Sequence, residues 1–364
     1  MAKNSIKTPL FHIAKRDPAS VKWYYGVMVR ALAILGALIV SGVLIMLLSD
    51  ENPVQIYTEM FKGVFGTKRR LWNTLQDIAI LLCISLAVTP AFKMRFWNCG
   101  AEGQVLIGGL ATVSVMFFLG DKMPLPLLIA VMIVASIAAG IIWAVIPAVF
   151  KALWNTNETL FTLMMNYVAI QIVAWFLKKF VKSGSGVMET MSEYGLPVIG
   201  GQKFLLNIIV VAVVTVLSYI YLKYSKQGYE ISVVGESENT AKYIGISVKK
   251  VIIRTLLVSG AICGLAGLLI VGGTNHTIST TAVAGRGFTA IMVSWLAKFN
   301  PLVMVFTTFL IVFLNRGAGQ ITTTFGIPSS ISDIITGIML LFIIGCEFFL
   351  RYRIVLTKHT KEGN

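Results

Sequence analysis

Charged residues are scarce in this 364-residue chain: 13% of it is Asp, Glu, Lys or Arg, whereas 56% is hydrophobic. A soluble domain carries about 25% charged residues, so the composition favours lipid as the surrounding solvent. Only 16 of the charged residues are acidic, and the formal net charge is +15. Most of the Lys and Arg lie between apolar runs and at the two ends, as is typical of cytoplasmic loops and headgroup contacts. No basic stripe with interleaved aromatics is present, so we expect no nucleic-acid partner.

Residue types that catalysis and metal binding need are also sparse. The four cysteines lie singly in or beside apolar runs, without the spacing of a metal site. His276, one of three histidines, has no second His or carboxylate close in sequence, which favours a hydrogen-bonding role in a loop. No grouping of nucleophile, base and acid is visible, and the Gly-Lys pair of a nucleotide-binding loop does not occur. We therefore expect a non-catalytic chain that holds no metal or cofactor itself.

Long apolar segments account for most of the sequence. A membrane-spanning helix needs about 20 apolar residues, and seven segments meet this clearly, at about 26–48, 71–91, 124–149, 158–177, 204–223, 255–272 and 332–350. Three weaker segments are short or rich in glycine, at about 103–120, 287–297 and 300–315, as is typical of broken or re-entrant helices. Together they predict an all-α polytopic membrane protein of about ten transmembrane helices.

Ten crossings place both termini on one side of the membrane, and the distribution of Lys and Arg predicts that this side is the cytoplasm. The first apolar run has no cleavage site after it, so we expect it to be retained. The predicted organisation is a cytoplasmic N-terminal tail, a transmembrane domain with one long external and one long cytoplasmic connection, and a cytoplasmic C-terminal tail. These regions are 1–25, 26–350, 182–203, 224–254 and 351–364, respectively.

Several polar side chains fall within the predicted spans, where each is costly to bury and is therefore a candidate for function. Asn73 and Asp77 lie four residues apart on one face of the second span. They could line a pathway, or they could lie at the interface and contact a neighbouring helix. Asn166, in the stretch NTNETLFTLMMN, lies deeper in its span. It could bind a solute or bridge two helices, and the bridge is favoured.

Residues 96–110 read FWNCGAEGQVLIGGL and place Asn98, Glu102 and Gln104 among glycines at the start of an apolar run. Glycine lets one backbone approach another closely. We therefore expect these polar groups to face protein or a pathway rather than lipid. For Glu102, contact with a neighbouring helix is favoured over contact with a solute, but both remain open.

A second glycine pattern lies in SGAICGLAGLL, where small residues recur at spacings of four and three. Gly260, Gly264 and Gly267 fall on one helical face and predict close packing against a neighbouring helix.

Four stretches together resemble the permease subunits of ABC importers: FWNCGAEGQVLIGGLAT, NETLFTLMMNYVA, GYEISVVGESENTAKYIGI with the following SGAICGLAGLL, and GIPSSISDIITGIMLLFI. The similarity is to the simple-sugar and nucleoside branch, related to ribose and branched-chain amino-acid permeases, and it extends from about residue 70 onward. WNCGAEGQ is similar to the corresponding stretch of nucleoside-type permeases, whereas the ribose branch typically differs there. The resemblance thus favours nucleosides over simple sugars as the solute.

The resemblance implies a ten-helix permease of the bacterial cytoplasmic membrane that works by alternating access with several partners. These partners would be a second homologous permease, a cytoplasmic ABC ATPase with two nucleotide-binding domains, and an extracytoplasmic solute-binding lipoprotein. ATP and Mg would bind to the ATPase rather than to this chain. A simple-sugar ABC permease is the first alternative, and a less favoured one from another class is an ion-coupled secondary transporter that works alone, for which Asp77 and Glu102 are the candidate ion ligands.

The resemblance also implies a role for the cytoplasmic connection 224–254, because such permeases dock on their ATPase through the loop after the sixth span. The positions that match this coupling loop are Gly228, Tyr229, Glu230, Gly235, Ala241, Gly245 and Ile246. Ser232 and Ser237 depart from the pattern, in which Arg and Asn are usual. From the residues alone, 239–246 is expected to form a short helix that ends at Gly245.

Overall fold

Helices make up almost all of the part of the chain that the computed structural model describes, namely residues 11–15, 23–48, 52–181 and 188–356. Within these residues, nine helices are long and apolar enough to cross a membrane, which confirms a polytopic helical membrane protein. The helices are α1 (Trp23–Leu48), α2 (Pro53–Phe65), α3 (Lys68–Lys93), α4 (Ala101–Leu119), α5 (Leu125–Trp154), α6 (Glu158–Phe180), α7 (Leu205–Tyr224), α8 (Lys226–Glu236), α9 (Glu238–Tyr243), α10 (Val248–Ile270), α11 (Arg286–Leu296), α12 (Pro301–Phe325) and α13 (Ser329–Arg351).

The tenth predicted span, 287–297, is too short to cross a bilayer. It forms α11, whose 11 residues extend about 16 Å at 1.5 Å per residue, about half of the hydrocarbon thickness. Its ends explain its length. Gly285 precedes it with φ 74°, and Lys298 and Phe299 follow it with φ values of 51° and 60°, so the backbone leaves the helical region at both ends. Nine helices of the described residues are thus long enough to cross the membrane, and the weak segment 287–297 forms a half-length helix, as expected of a short or re-entrant segment.

The chain divides into two compact units, the smaller of which consists of Met1–Thr67 and Phe313–Asn364. Here α1 packs against α13, and the core contains the buried side chains of Ile45, Ile56 and Ile335. The amphipathic helix α2 was not predicted, because its 13 residues are too few and too polar for a span. Asn52 begins it by accepting a hydrogen bond from the Val54 amide at 2.9 Å, as a helix N-cap does.

Two short strands in the smaller unit were not predicted. β1 (Phe11–Lys15) pairs antiparallel with β2 (Tyr352–Leu356), so Phe11 lies opposite Leu356 and Lys15 lies opposite Tyr352. The strands lie in or beside the predicted tails and make the two terminal segments neighbours. Residues 1–10, 16–22 and 357–364 of those tails lie outside the described residues.

The larger unit, Lys68–Val312, is organised around α10, which packs against α3, α4 and α5. The small residues of α10 lie where it approaches α5 and α4. A Cβ atom on Gly260 would lie 2.5 Å from the carbonyl oxygen of Gly140, and one on Gly264 would lie 2.2 Å from that of Ser136. A Cβ on Gly267 would lie 2.4 Å from the amide nitrogen of Gly109. Any larger side chain would therefore separate the helices.

The long connection between α6 and α7 packs on the chain that follows α10. Residues 182–187 of the predicted external loop lie outside the described residues. After them, the amide of Met191 donates to the carbonyl of His276 and the amide of Leu196 donates to that of Gly272, both at 2.8 Å. The connection is thus fixed to the segment between α10 and α11.

Candidate functional site

The stretch WNCGAEGQ forms the turn between α3 and α4 and the first turn of α4. Asn98 is fully buried, and its Nδ2 donates to Oγ of Ser259 in α10 at 3.2 Å. Its Oδ1 accepts from the Gly100 amide at 3.1 Å and from Nε2 of Gln104 at 3.2 Å. The amides of Asn98 and Gln104 therefore fix the turn to itself and to α10. Gln104 Oε1 is buried and has no hydrogen-bond partner among the described residues.

Asn166 and Thr162 of α6 hold the same turn from another side. Asn166 Oδ1 accepts from the Gly103 amide at 2.8 Å, and its Nδ2 donates to the carbonyl of Cys99 at 2.8 Å. Thr162 Oγ1 accepts from the Cys99 amide at 3.2 Å. Asn166 thus makes the contacts of a bridge between two helices, and a direct contact with solute stays a prediction.

Glu102 holds the start of the half-length helix α11. Its Oε1 accepts from the Gly285 amide at 2.8 Å, and its Oε2 accepts from the Gly287 amide at 2.7 Å. The first amides of a helix have no partner within the helix and carry partial positive charge. A carboxylate is therefore a favourable partner for them, and these are the contacts of a group that connects two helices.

Asp77 forms an ion pair that sequence analysis missed. Nη2 of Arg286 lies 3.2 Å from Asp77 Oδ1, and the two side chains are 31% and 22% exposed, respectively. Arg286 is the first residue of α11, between the two amides that Glu102 binds. The sequence feature that could have indicated Arg286 is its position as the single cation of VAGRGF, between a clear predicted span and the weak segment 287–297. Asn73, partly buried, lies about one turn before Asp77 on α3.

A second polar cluster connects α3, α7 and the end of α10. Gln76 Nε2 donates to Thr274 Oγ1, and Thr274 in turn donates to the carbonyl of Leu269 at 3.1 Å. Asn207 Nδ2 also donates to that carbonyl, at 3.2 Å. Thr274 belongs to the π-helical turn Val271–Asn275, which continues α10. Nowhere in the described residues do three or more His, Cys, Asp or Glu side chains lie together in the way that a metal ion would need.

The connection between α7 and α10 consists mainly of two helices. The predicted helix 239–246 is α9, which ends before Gly245, whose φ is 82°. The preceding helix α8 was not predicted. Ser225 begins α8 by accepting from the Gly228 amide at 2.9 Å, and Ser237 begins α9 by accepting from the Thr240 amide at 3.2 Å. Ser237 therefore caps a helix, a role that Asn would also fill.

One side of this helix pair packs into the larger unit. A Cβ on Gly235 would lie 2.2 Å from the carbonyl oxygen of Lys93, the last residue of α3, and one on Gly228 would lie 2.4 Å from that of Tyr221. Glu230 forms an ion pair with Arg254 of α10 at 2.6 Å. Further contacts come from the buried side chain of Ala241 and from Ile246, whose amide donates to the Ala241 carbonyl at 2.9 Å.

The same connection also exposes large apolar side chains. Tyr243 is 91% exposed, and Tyr229 and Ile244 are also exposed. We call these three residues the coupling surface. Contiguous apolar side chains outside the membrane-spanning helices are typical of protein contacts.

Most of the chain matches one protein family. Residues 70–344 match the family described as branched-chain amino acid transport system / permease component. The guanosine ABC transporter permease protein NupP of Bacillus subtilis is 30% identical over 338 residues, which cover 89% of this chain and 94% of the relative. The glucose ABC transporter permease protein TsgB13 of Haloferax volcanii is 29% identical over 348 residues, covering 92% and 90%. The guanosine permease protein NupQ, also of Bacillus subtilis, is 23% identical over 242 residues, covering 63% and 75%.

Proposed function

This chain belongs to the family of permease components of branched-chain amino acid transport systems, and from that premise we propose that it is the permease subunit of an ATP-driven ABC importer for nucleosides. The observation that carries the nucleoside assignment is the similarity to the guanosine permease NupP, which extends over nearly the whole of both chains. The stretch WNCGAEGQ, similar to nucleoside-type permeases, supports the same solute class. A simple sugar is the second candidate, supported by the similar identity to the glucose permease TsgB13.

The charges of the larger unit suit an uncharged solute. The Glu102 carboxylate accepts hydrogen bonds from two backbone amides. Asp77 is paired with Arg286, and this ion pair carries no net charge. A negatively charged solute would need an excess of cations along its path. We propose that Asn73, Asp77, Asn98, Glu102, Gln104 and Asn166 lie along or support the wall of the pathway.

The partners proposed for this subunit follow from its surfaces and its relatives. The coupling surface would receive a cytoplasmic ABC ATPase with two nucleotide-binding domains, which binds ATP and Mg and drives alternating access. Similarity to both NupP and NupQ, two guanosine permease proteins of one organism, supports a second, homologous permease as the partner within the membrane. An extracytoplasmic solute-binding lipoprotein would deliver the solute.

We also propose that both termini are cytoplasmic, in the cytoplasmic membrane of a bacterium. The pairing of β1 with β2 supports termini on one side of the bilayer. Nine full crossings would separate them, so the segment that contains α11 must carry the chain across once more. The excess of Lys and Arg on the predicted inner side then favours the cytoplasm.

The proposal is tested by reconstituting this chain in liposomes with the ATPase, second permease and binding protein that adjacent genes encode. ATP-dependent uptake of radiolabelled guanosine is expected, and guanosine should be taken up faster than glucose. The matched control contains an ATPase in which the lysine of the nucleotide-binding loop is replaced, which should abolish uptake.

Three outcomes would contradict parts of the proposal. Uptake of glucose but of no nucleoside would establish the sugar alternative. Guanosine uptake by this chain alone, driven by a proton or sodium gradient, would establish a secondary transporter. An ATPase that fails to bind the assembled permeases, or that binds equally well when Tyr229 and Tyr243 are both replaced by Asp, would exclude the coupling surface as its docking site.

A further inference from the structure

The ion pair between Asp77 and Arg286 remains partly exposed, which a purely structural ion pair does not need. Asp77 is the tenth residue of α3, about 13 Å along a helix that rises 1.5 Å per residue, and therefore lies within the membrane-spanning part of the chain. Its side chain and that of Arg286 nevertheless remain 22% and 31% exposed. Charges at this depth almost always face a protein interior or a water-filled cavity, because exposure to lipid is costly. Partial exposure at this depth is what an ion pair beside an aqueous pathway would show.

The backbone on both sides of Arg286 is fixed. Glu102 accepts hydrogen bonds from the amides of Gly285 and Gly287, the residues immediately before and after Arg286. Asp77 holds the guanidinium itself. The two hydrogen bonds to Glu102 and the contact with Asp77 therefore restrict the position of the Arg286 side chain. A group that is held in place before the solute binds favours selective binding.

We propose that Arg286 is a specificity-determining residue that binds the acceptor-rich edge of a 6-oxopurine base, and that Asp77 and Glu102 position it. This rests on the proposed nucleoside import. A guanidinium has five N–H donors in a planar fork, more than the single contacting oxygen of Asp77 accepts. The fork matches the O6 and N7 acceptors of guanine, whereas adenine presents an N6 donor in place of O6. The pair as a whole is neutral, as suits an uncharged nucleoside.

The experiment compares variants in the complete reconstituted transporter with its natural binding protein. The measurement is the ratio of the maximal uptake rate of guanosine to that of adenosine at saturating binding protein. Arg286→Lys keeps the charge and the pair with Asp77 but loses the planar fork, and we expect the ratio to fall about tenfold. The control is Lys151→Arg, a conservative exchange in the Lys151–Glu158 ion pair, whose atoms lie 2.9 Å apart; its ratio should equal that of the wild type.

A charge swap separates recognition from structure. Asp77→Arg with Arg286→Asp keeps an ion pair of reversed direction but moves the guanidinium, so complexes of this variant that assemble should have lost the guanosine preference. Swapping Lys151 and Glu158 should keep the preference. Two results would overturn the proposal: an unchanged ratio in Arg286→Lys, or a wild-type ratio in the Asp77–Arg286 swap. A wild-type complex that imports no nucleoside would instead contradict the proposed function before any variant is compared.

Discussion

Removal of the Glu102 carboxylate should free the N-terminal end of α11. The carboxylate makes two hydrogen bonds to backbone amides, at 2.8 and 2.7 Å, and a hydrogen bond to a charged group contributes about 1.5–3 kcal/mol to stability. Glu102→Ala loses both and leaves two amides without a partner, so α11 should be destabilised locally by about 3–6 kcal/mol. Glu102→Gln keeps one carbonyl oxygen as an acceptor, and its loss should be about half as large.

Hydrogen exchange measures this effect directly in the purified complex. A decrease of about 1.4 kcal/mol in the free energy of local opening accelerates exchange about tenfold. The amides of residues 285–289 should therefore exchange at least tenfold faster in Glu102→Gln, and faster again in Glu102→Ala. Exchange in α8, which makes no hydrogen bond to Glu102, should change much less.

The matched control is Glu189→Gln, which removes an exposed carboxylate from the connection between α6 and α7. It should leave exchange at 285–289 unchanged. If the amides of residues 285–289 exchange as slowly in Glu102→Ala as in the wild type, Glu102 does not stabilise the start of α11.

Gly235→Ala should abolish ATP-driven uptake without preventing membrane insertion, because the new Cβ would lie 2.2 Å from the carbonyl oxygen of Lys93; normal uptake at normal expression would contradict this contact. Gly245→Ala should retain uptake and lower the Tm only slightly, because its φ of 82° strains an alanine by about 1–2 kcal/mol while no heavy atom lies within 4 Å of the new Cβ. The pKa of His276 is lowered by burial and by the charge of Lys203, so the fold favours the neutral ring. The resulting stability is complete above the unfolded pKa of about 6.5 and is lost as pH falls below it. The protection factors of residues 188–196, which correct exchange for its intrinsic pH dependence, should therefore fall between pH 7.5 and 5, and His276→Gln should remove that fall.

The long helices could be predicted because their apolar length alone identifies them. The weak segment 103–120 corresponds to α4, Ala101–Leu119, and 300–315 is the first part of α12, Pro301–Phe325. Helix α2 could not be found in this way, since only one of its faces is apolar and it has no 20-residue run. The strands β1 and β2 are five residues long, and they pair although almost the whole sequence separates them. A local sequence pattern does not indicate so distant a partner.

Which polar residues matter could also be predicted, but their partners could not. The cost of a polar group in an apolar run drew attention to Asp77, Glu102 and Asn166. Their partners lie far away in the sequence: Arg286 is 209 residues from Asp77, and Gly285 is 183 residues from Glu102. Arg286 was not predicted as a site residue, because a cation next to a short apolar segment is common between spans. Its contact with Asp77 distinguishes it from other such cations, and the sequence does not show that contact.

The pairing of Glu102 with α11 explains why a chain with only 16 acidic residues places one at the start of an apolar helix. The first amides of a helix have no partner within the helix, and each one that is buried without a partner costs several kcal/mol. A carboxylate in the same region is equally unfavourable by itself. When the amides donate hydrogen bonds to the carboxylate, both groups gain a partner, and the free-energy cost of burying each of them falls. The half-length helix and the glutamate therefore stabilise each other in this position.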